Sequence, residues 1–278
     1  MTLKRRIFRR GSTTYYTSSV FFPKDTRRDV FTLYAYVRTA DDFVDSVPQR
    51  KKEFLLFKKD TLNAINGKES GDVIVDDFVE LFNRKKFRLA WLLAFLDAME
   101  SDLGKVRCKN LEDTERYIYG SAEVIGLFMA KIMALDKKSY KYAMLLGKSM
   151  QYINFIRDIN EDISFDRVYL PLNDAKSFNL KTLSLDEINK NPEGFEKFMH
   201  AQLKRFYEFD KKARFGFKYI PKKYLTPILT AQDMYFWTAK KIESDPFIVL
   251  KKKVKPRKCF IIWVMFKNYF KIKNDKKS

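Results

Sequence analysis

The residues best suited to chemistry lie in two acidic runs, "RTADDFVD" at 38–45 and "QYINFIRDINED" at 151–162. Both sit among apolar and aromatic neighbours, where an unpaired carboxylate is expensive. At about 100° per residue, Gln151, Asn154, Asp158 and Asp162 fall within an arc of about 80° on a helix, as one polar stripe rising about 16 Å. Ile153, Phe155, Ile156 and Ile159 occupy the other side. Tyr34, Arg38, Asp41 and Asp45 likewise share an arc of about 60°. Asp42 points about 100° away and is expected to support or cap rather than join them. Two such stripes suggest two helices facing across a shared cavity. Every donor is an oxygen, amide or carboxylate, which suits Mg²⁺ or Mn²⁺. Mg²⁺ favours a few carboxylates completed by substrate phosphates and water. Arg38 and Arg157, beside the carboxylates, are suited to gripping phosphate oxygens. The chemistry implied is metal-assisted handling of a diphosphate. Buried salt bridges between helices are the competing explanation, and two stripes with Gln and Asn in register weigh against it.

Long helices must position these stripes. Pro23 and Asp25 open a helix that runs to about Ser46, stopped by Val47-Pro48. "KKEFLLFKKDTLNAI" forms a second, ended by Asn66-Gly67, and "KESGDVIVDD" reads as a loop entering a short helix. "FRLAWLLAFLDAMESDL" is strongly helical up to Gly104. "LEDTERYIYGSAEVIGLFMAKIMAL" reads as one long helix whose Gly120 and Gly126 permit close packing or a kink. "KSYKYAMLLGKSMQYINFIRDINEDI" is another. "SLDE" at 184–187 is a capping-box pattern, with helices following at about 193–216 and 221–245. No strand alternation, tandem repeat or low-complexity linker stands out. The simplest architecture is all-α: one domain over 1–250 with a basic aromatic tail at 251–278.

Composition narrows the function classes. Only 9 Gly and 8 Pro occur in 278 residues, too few for an all-β chain of many turns. Two cysteines, Cys108 and Cys259, cannot build a disulfide framework and suggest free thiols in a cytoplasmic protein. His200 is the single histidine, so a His-dependent triad or a multi-His zinc site is nearly excluded. It lies in an amphipathic stretch and reads as an ordinary helix residue. "MTLKRRIFRR" lacks the apolar run of a secretory signal, and "CFIIWVMF" is far short of a membrane span. The net charge of +20 suits a polyanionic partner or simply a lysine-rich surface.

"YAYVRTADDFVD" together with "QYINFIRDINEDISFDRVYLP" resembles the squalene/phytoene synthase family of head-to-head trans-isoprenyl diphosphate synthases, phytoene synthases most of all. The likeness extends from "GSTTYYTSSVFFP" to the helix with Tyr235, and "DRVYLP" makes the second motif highly specific. The resemblance implies an isoprenoid-synthase-type helical bundle around a central cavity. Two prenyl diphosphates would be joined there through a cyclopropyl intermediate. By matching, Asp41 and Asp45 would hold Mg²⁺ at one diphosphate, and Asn154, Asp158 and Asp162 on the facing side beside Gln151. Arg38, Arg157, Tyr34, Ser12 and Thr14 would contact diphosphate, with Tyr119, Asp102 and Tyr235 as further site residues. Glu123 stands where a glycine is common, and Gly11 where many members have histidine; neither removes a metal ligand. Geranylgeranyl diphosphate giving phytoene is the first expectation, favoured by small Ser19 at the pocket floor. Farnesyl diphosphate giving dehydrosqualene, or squalene with NADPH, is the alternative.

Two readings from other classes remain at this stage. "KRRIFRR" and "KKKVKPRK" have the charge of a nucleic-acid binder, but both lie at the ends while the centre is acidic, so no nucleic-acid partner is expected. An assembly protein that kept the fold without chemistry is the other. The tail, lysines with "FIIWVMF", suits peripheral docking on the inner face of a membrane, or equally a last helix that caps the core.

Overall fold

The computed structural model describes residues 3–274 and is built from helices. In chain order they are α1 (Leu3–Gly11), α2 (Thr13–Ser19), α3 (Lys24–Asp45), α4 (Lys51–Ile65), α5 (Val73–Lys85), α6 (Leu89–Ser101), α7 (Leu111–Ile118) and α8 (Val124–Ile132). Then follow α9 (Tyr140–Arg157), α10 (Ile159–Ser164), α11 (Leu172–Lys176), α12 (Leu185–Lys190), α13 (Pro192–Arg214), α14 (Lys222–Ser244), α15 (Ile248–Lys251) and α16 (Lys258–Asn274). The strand content among the described residues is one parallel bridge, Val106–Arg107 against Arg167–Val168.

Local chemistry accounts for the boundaries. The Asp72 carboxylate caps α5 by accepting from the Ile74 and Val75 N–H groups, and Asn110 caps α7 through the Asp113 N–H. Asn191 caps α13, whose first residue is Pro192, a position where the missing N–H costs nothing. Ser184 accepts from the Glu187 N–H as the capping box requires. The Glu187 carboxylate instead collects the N–H groups of Lys181, Thr182 and Leu183.

Two expected continuous helices are broken. The stretch from Leu111 is interrupted by a π turn at Tyr119–Glu123, which contains Gly120. The stretch from Tyr140 ends at Arg157, and Asp158 leaves the helical region (φ −101°, ψ 11°) before α10 resumes. Close approach explains the glycines: a Cβ on Gly126 would stand 2.2 Å from the Ala143 carbonyl oxygen, and one on Gly147 2.4 Å from that of Ala122. α8 and α9 can cross this tightly only without those side chains.

Two apolar clusters result. One gathers α3 to α6 with α8; Tyr36 stacks on Phe78 at 3.7 Å there and its hydroxyl meets Thr61 Oγ1 at 3.1 Å. The other gathers α9 to α14 around Tyr152, Phe195, Phe198 and Phe206. A cavity of about 1030 Å³ lies between them, lined from both sides, for example by Leu33 and Phe95, and by Phe155 and Tyr235.

The boundary expected at 250 does not separate a free tail. α16 buries Ile261, Val264, Met265 and Asn268. Asn268 Nδ2 donates to Asp233 Oδ2 of α14 at 2.8 Å. Residues 275–278 of the expected tail lie outside the described residues. No helix among the described residues is long and apolar enough to cross a membrane.

Candidate active site

α3 and α9 line the cavity along their lengths, and both change character in the same direction. On α3 the lining runs Val30, Leu33, Tyr34, Val37, Arg38, Asp41, Asp45; on α9 it runs Tyr142, Ala143, Leu146, Met150, Gln151, Asn154 and on to Asp158. The C-terminal ends of both helices therefore meet at one polar end, while Met129, Met133, Phe217, Ile220 and Ile228 help line the apolar remainder. The two acidic runs share an electrostatic field. Burial pushes Asp162 well above the usual carboxylate range, with Asp158 and then Asp45 adding to the rise. Burial and Asp45 push Asp41 up to about 7 against the pull of Arg38.

The positive partners of the carboxylates are arginines. Arg38 spans Asp41 (2.7 Å) and Asp42 (2.5 Å), so Asp42 steadies the guanidinium, the supporting position expected from its angle. Arg157 engages Asp158 with two donors, at 2.8 and 2.5 Å. Arg167 is nearly fully buried (4% exposed). Its guanidinium donates to Asp45 Oδ1 (2.7 Å) and to the carbonyls of Val44 (2.8 Å) and Asp102 (2.9 Å). It fastens the acidic end of α3 to the end of α6.

Asp102 lies behind this clamp. Its carboxylate accepts from the hydroxyls of Tyr117 and Tyr169, each at 2.6 Å, and burial pushes it up to about 6 despite those bonds and Arg167. Tyr15 and Tyr235 meet beside Arg157 and Asn154, with ring centroids 5.9 Å apart, and burial raises both phenols. Ser12 lines the cavity while its Oγ caps α2 through the Tyr15 N–H (3.2 Å), and Thr14 lies in the lining nearby. Ser19 also lines the cavity, its hydroxyl turned back to the Tyr16 carbonyl (2.8 Å).

Tyr119 departs from the expectation. It is 37% exposed at the start of the π turn and is not in the cavity lining; Tyr117, one turn face away, is. Glu123 is buried and paired with Lys148 at 3.0 Å, which explains how a carboxylate is tolerated at a position expected to suit glycine. At Gly11 a Cβ would come within 2.5 Å of the Tyr34 hydroxyl and 2.9 Å of Arg38 Cδ, so a larger residue there would require those two side chains to shift. His200 is an exposed residue of α13 opposite Glu196.

Arg167, Tyr15, Tyr117 and Tyr169 were not singled out by spacing, although "DRVYLP" contains two of them. Lys253 and Lys255 were assigned to the tail, yet both line the cavity. Lys253 Nζ lies 3.3 Å from Asp158 Oδ1 and also pairs with Glu161.

The residues present fit a divalent cation. Asn154 Oδ1 is buried without a hydrogen-bond partner, an acceptor directed at something outside the chain's own bonding. Asp158 and Asp162 follow it on the same stripe, and Asp41 and Asp45 face them. Among the described residues no three acidic, histidine or cysteine side chains stand close enough together to hold a metal ion by themselves, so the rest of the shell would have to come from the substrate and water. An open donor set of this kind leaves positions for phosphate oxygens and water.

A cavity with one polar end, walled by antiparallel and parallel long helices and almost no strand, is the all-α isoprenoid-synthase fold. The squalene synthase HpnC of Alicyclobacillus acidocaldarius shares it, with TM-score 0.76 at 19% identity over 88% of this chain and 93% of that one. So does a ligand-bound dehydrosqualene synthase, with TM-score 0.78 at 19% identity over 99% and 95%. The squalene/phytoene synthase family model matches residues 8–259, and the chain belongs to that family. A phytoene synthase of Thermus thermophilus is 32% identical over 178 residues, 60% of this chain and 57% of that protein. The 15-cis-phytoene synthase of Pantoea ananas is 26% identical over 248 residues, 84% and 79%. The matched stretch thus spans little more than half the length of the first of these relatives.

Proposed function

We propose that the protein joins two prenyl diphosphates head to head, geranylgeranyl diphosphate first, through a cyclopropylcarbinyl diphosphate to phytoene. The observation that carries this reading is the shared direction of α3 and α9. Both run from apolar lining to carboxylates, so two hydrocarbon chains are accommodated side by side with both diphosphates at one end. The phytoene synthases among its relatives support the choice of product.

Mg²⁺ held by Asp41 and Asp45, and by Asn154, Asp158 and Asp162, would supply Lewis-acid neutralisation of the leaving diphosphates. The chain's own groups do the rest. Arg38 and Arg157 bind phosphate oxygens and stabilise the charge that grows as the first C1–O bond breaks and its electron pair leaves with diphosphate. The resulting allylic cation is attacked by the C2–C3 alkene of the second substrate. Loss of one proton closes the three-membered ring. The second C–O bond then ionises, the skeleton rearranges to the 1-1′ linkage, and loss of a second proton gives the hydrocarbon. Tyr15, Tyr34 and Tyr235 keep their protons, since burial raises all three. They serve as hydrogen-bond donors to the diphosphates rather than as bases. The released diphosphate is the proton acceptor. Phe22, Phe95 and Phe155 help exclude water from the cations and offer ring faces to them.

The test is to incubate the protein with Mg²⁺ and geranylgeranyl or farnesyl diphosphate, with and without NADPH, and identify the hydrocarbon. Phytoene from the longer substrate is expected. Dehydrosqualene, or squalene with NADPH, would move the assignment to the shorter one; no hydrocarbon from either would end it.

A further inference from the structure

The segment 252–257 crosses the polar end of the cavity as an extended strap. Lys252 opens it with extended backbone (φ −161°, ψ 152°). In an extended chain successive side chains point to opposite sides. Val254 is accordingly buried with the cluster of α9 to α14, while Lys253 and Lys255 line the cavity. Asn160 Nδ2 donates to the Leu250 carbonyl at 3.3 Å, which ties the chain entering the strap to α10. The backbone is thus held on both sides of Lys253, and the long lysine side chains are the parts able to swing.

The two lysines differ in what they touch. Lys253 Nζ lies 3.3 Å from Asp158 Oδ1 and also pairs with Glu161 Oε2. Among the described residues Lys255 has no carboxylate at ion-pair distance. Asp158 has no need of a second cation, because Arg157 already gives it two donors, at 2.8 Å to Oδ1 and 2.5 Å to Oδ2. The Lys253 ammonium is an additional positive charge on Oδ1, shared with a carboxylate three residues on. A compact, strongly hydrated charge bridging oxygens of two carboxylates has the arrangement of a bound cation. One turn before Asp158, Asn154 Oδ1 is buried without a partner. The ammonium leaves that acceptor unused, whereas an octahedral Mg²⁺ has coordination positions to spare for it.

We propose that the Lys253 ammonium is a tethered stand-in for the divalent cation. It bridges Asp158 and Glu161 in the metal-free chain and must swing out before Mg²⁺ can take Asp158. Filling the site is then the exchange of one cation for another, and the fraction of chains with the lysine withdrawn sets the apparent affinity. The flexible four-carbon stem lets the ammonium leave while Val254 keeps the strap in place. The inference rests on the reading that Asp158 holds a divalent cation, and not on which hydrocarbon is made.

The experiment titrates Mg²⁺ into the metal-free full chain by calorimetry, with no prenyl substrate present. Lys253→Gln should bind Mg²⁺ about threefold to tenfold more tightly than the wild type, as occupancy of the site by the lysine in about 70–90% of chains would give. Lys255→Gln removes the same charge from the same strap and should change the affinity by less than about twofold. Acetylation of lysines, followed by mass spectrometry, reads the wild type directly and needs no variant to fold. Mg²⁺ should speed modification of Lys253 by about threefold or more relative to exposed Lys51 of α4. Equal affinities in wild type and Lys253→Gln, an equal gain in Lys255→Gln, or Lys253 labelling that Mg²⁺ leaves unchanged would each overturn the inference while leaving the metal reading intact. Binding of Mg²⁺ by neither wild type nor Lys253→Gln would overturn both.

Discussion

Asp158 combines three contacts in one side chain: two donors from Arg157 and the Lys253 ammonium. Asp158→Ala should lower kcat by about 10³-fold or more, since on the proposed reaction Asp158 would hold the Mg²⁺ that neutralises the leaving diphosphate. The fold should persist, although Arg157, whose side chain is only 16% exposed, loses its carboxylate partner and the urea midpoint falls accordingly. Retained turnover would make the stripe structural. Arg167 acts one step back, by holding Asp45. Arg167→Met should raise the Mg²⁺ concentration needed for half-maximal activity, whereas Arg167→Lys should restore part of it. Equal loss in both, with unchanged metal dependence, would deny it that positioning role. Asp102 gives a pH signature. Its carboxyl is pushed up to about 6 by burial, so the folded state holds that proton more tightly than the unfolded chain, whose value is near 4. The stability due to Asp102 is therefore full below about pH 4 and declines as pH rises through 6. Asp102→Asn, which mimics the protonated form, should gain about 1–3 kcal/mol relative to wild type between pH 4.5 and 7.5 in urea titrations of metal-free protein. A difference that is flat in pH would contradict the assignment. At this scale the meeting of both acidic runs on one cavity was legible from spacing, although the helix that fixes the angles breaks at Asp158, before Asp162. Arg167, Tyr15 and Lys253 were not, because their partners lie far away in sequence and no local period links them.

At the scale of elements, the crossing of α8 and α9 sets the width of the cavity. Gly126 and Gly147 lie on lining helices and face carbonyl oxygens at distances no Cβ can occupy. Gly126→Val should cost about 1–3 kcal/mol by forcing the backbones apart. Chemical denaturation measures that cost directly, and a neutral result would mean that the crossing yields more readily than its geometry implies. The helices themselves were legible. Pro23, Val47-Pro48 and Asn66-Gly67 mark their ends, and the observed α3 and α4 fall within a residue of the expected limits. The irregularity at Tyr119–Glu123 was foreshadowed by Gly120, read as a site of close packing or a kink, whereas the break at Asp158 was not, since no proline or glycine marks it. The expectation for Tyr119 came from the resemblance; the structure puts it at the start of the π turn, outside the cavity lining that Tyr117 joins.

At the scale of the molecule, the segment 252–257 links α15 to α16 across the polar end of the cavity. Removing everything after Lys251 would take away Lys253 and Lys255 and uncover α14 along the line of Met234 and Asp233. Such a truncation should lose both melting temperature and turnover, so surface substitutions on α16 are the sounder way to probe the tail. Full activity and stability in the truncated chain would restore the tail to the separate unit that its composition suggested. Composition left surface docking and core capping equally open because "FIIWVMF" is apolar all round, and only the packed fold distinguishes the face that serves the core from the face left in the open.

The common direction of α3 and α9 bears on how a finished molecule departs. On the proposed reaction, once both phosphorylated heads are gone the product would be a hairpin of oil with its bend at the wet end and both arms in the dry one. Nothing then tethers the bend, and neither arm has a charged group to solvate, so water offers the product no reason to leave. Escape must be drawn by a greasy sink, and turnover should be slowest wherever such a sink is withheld.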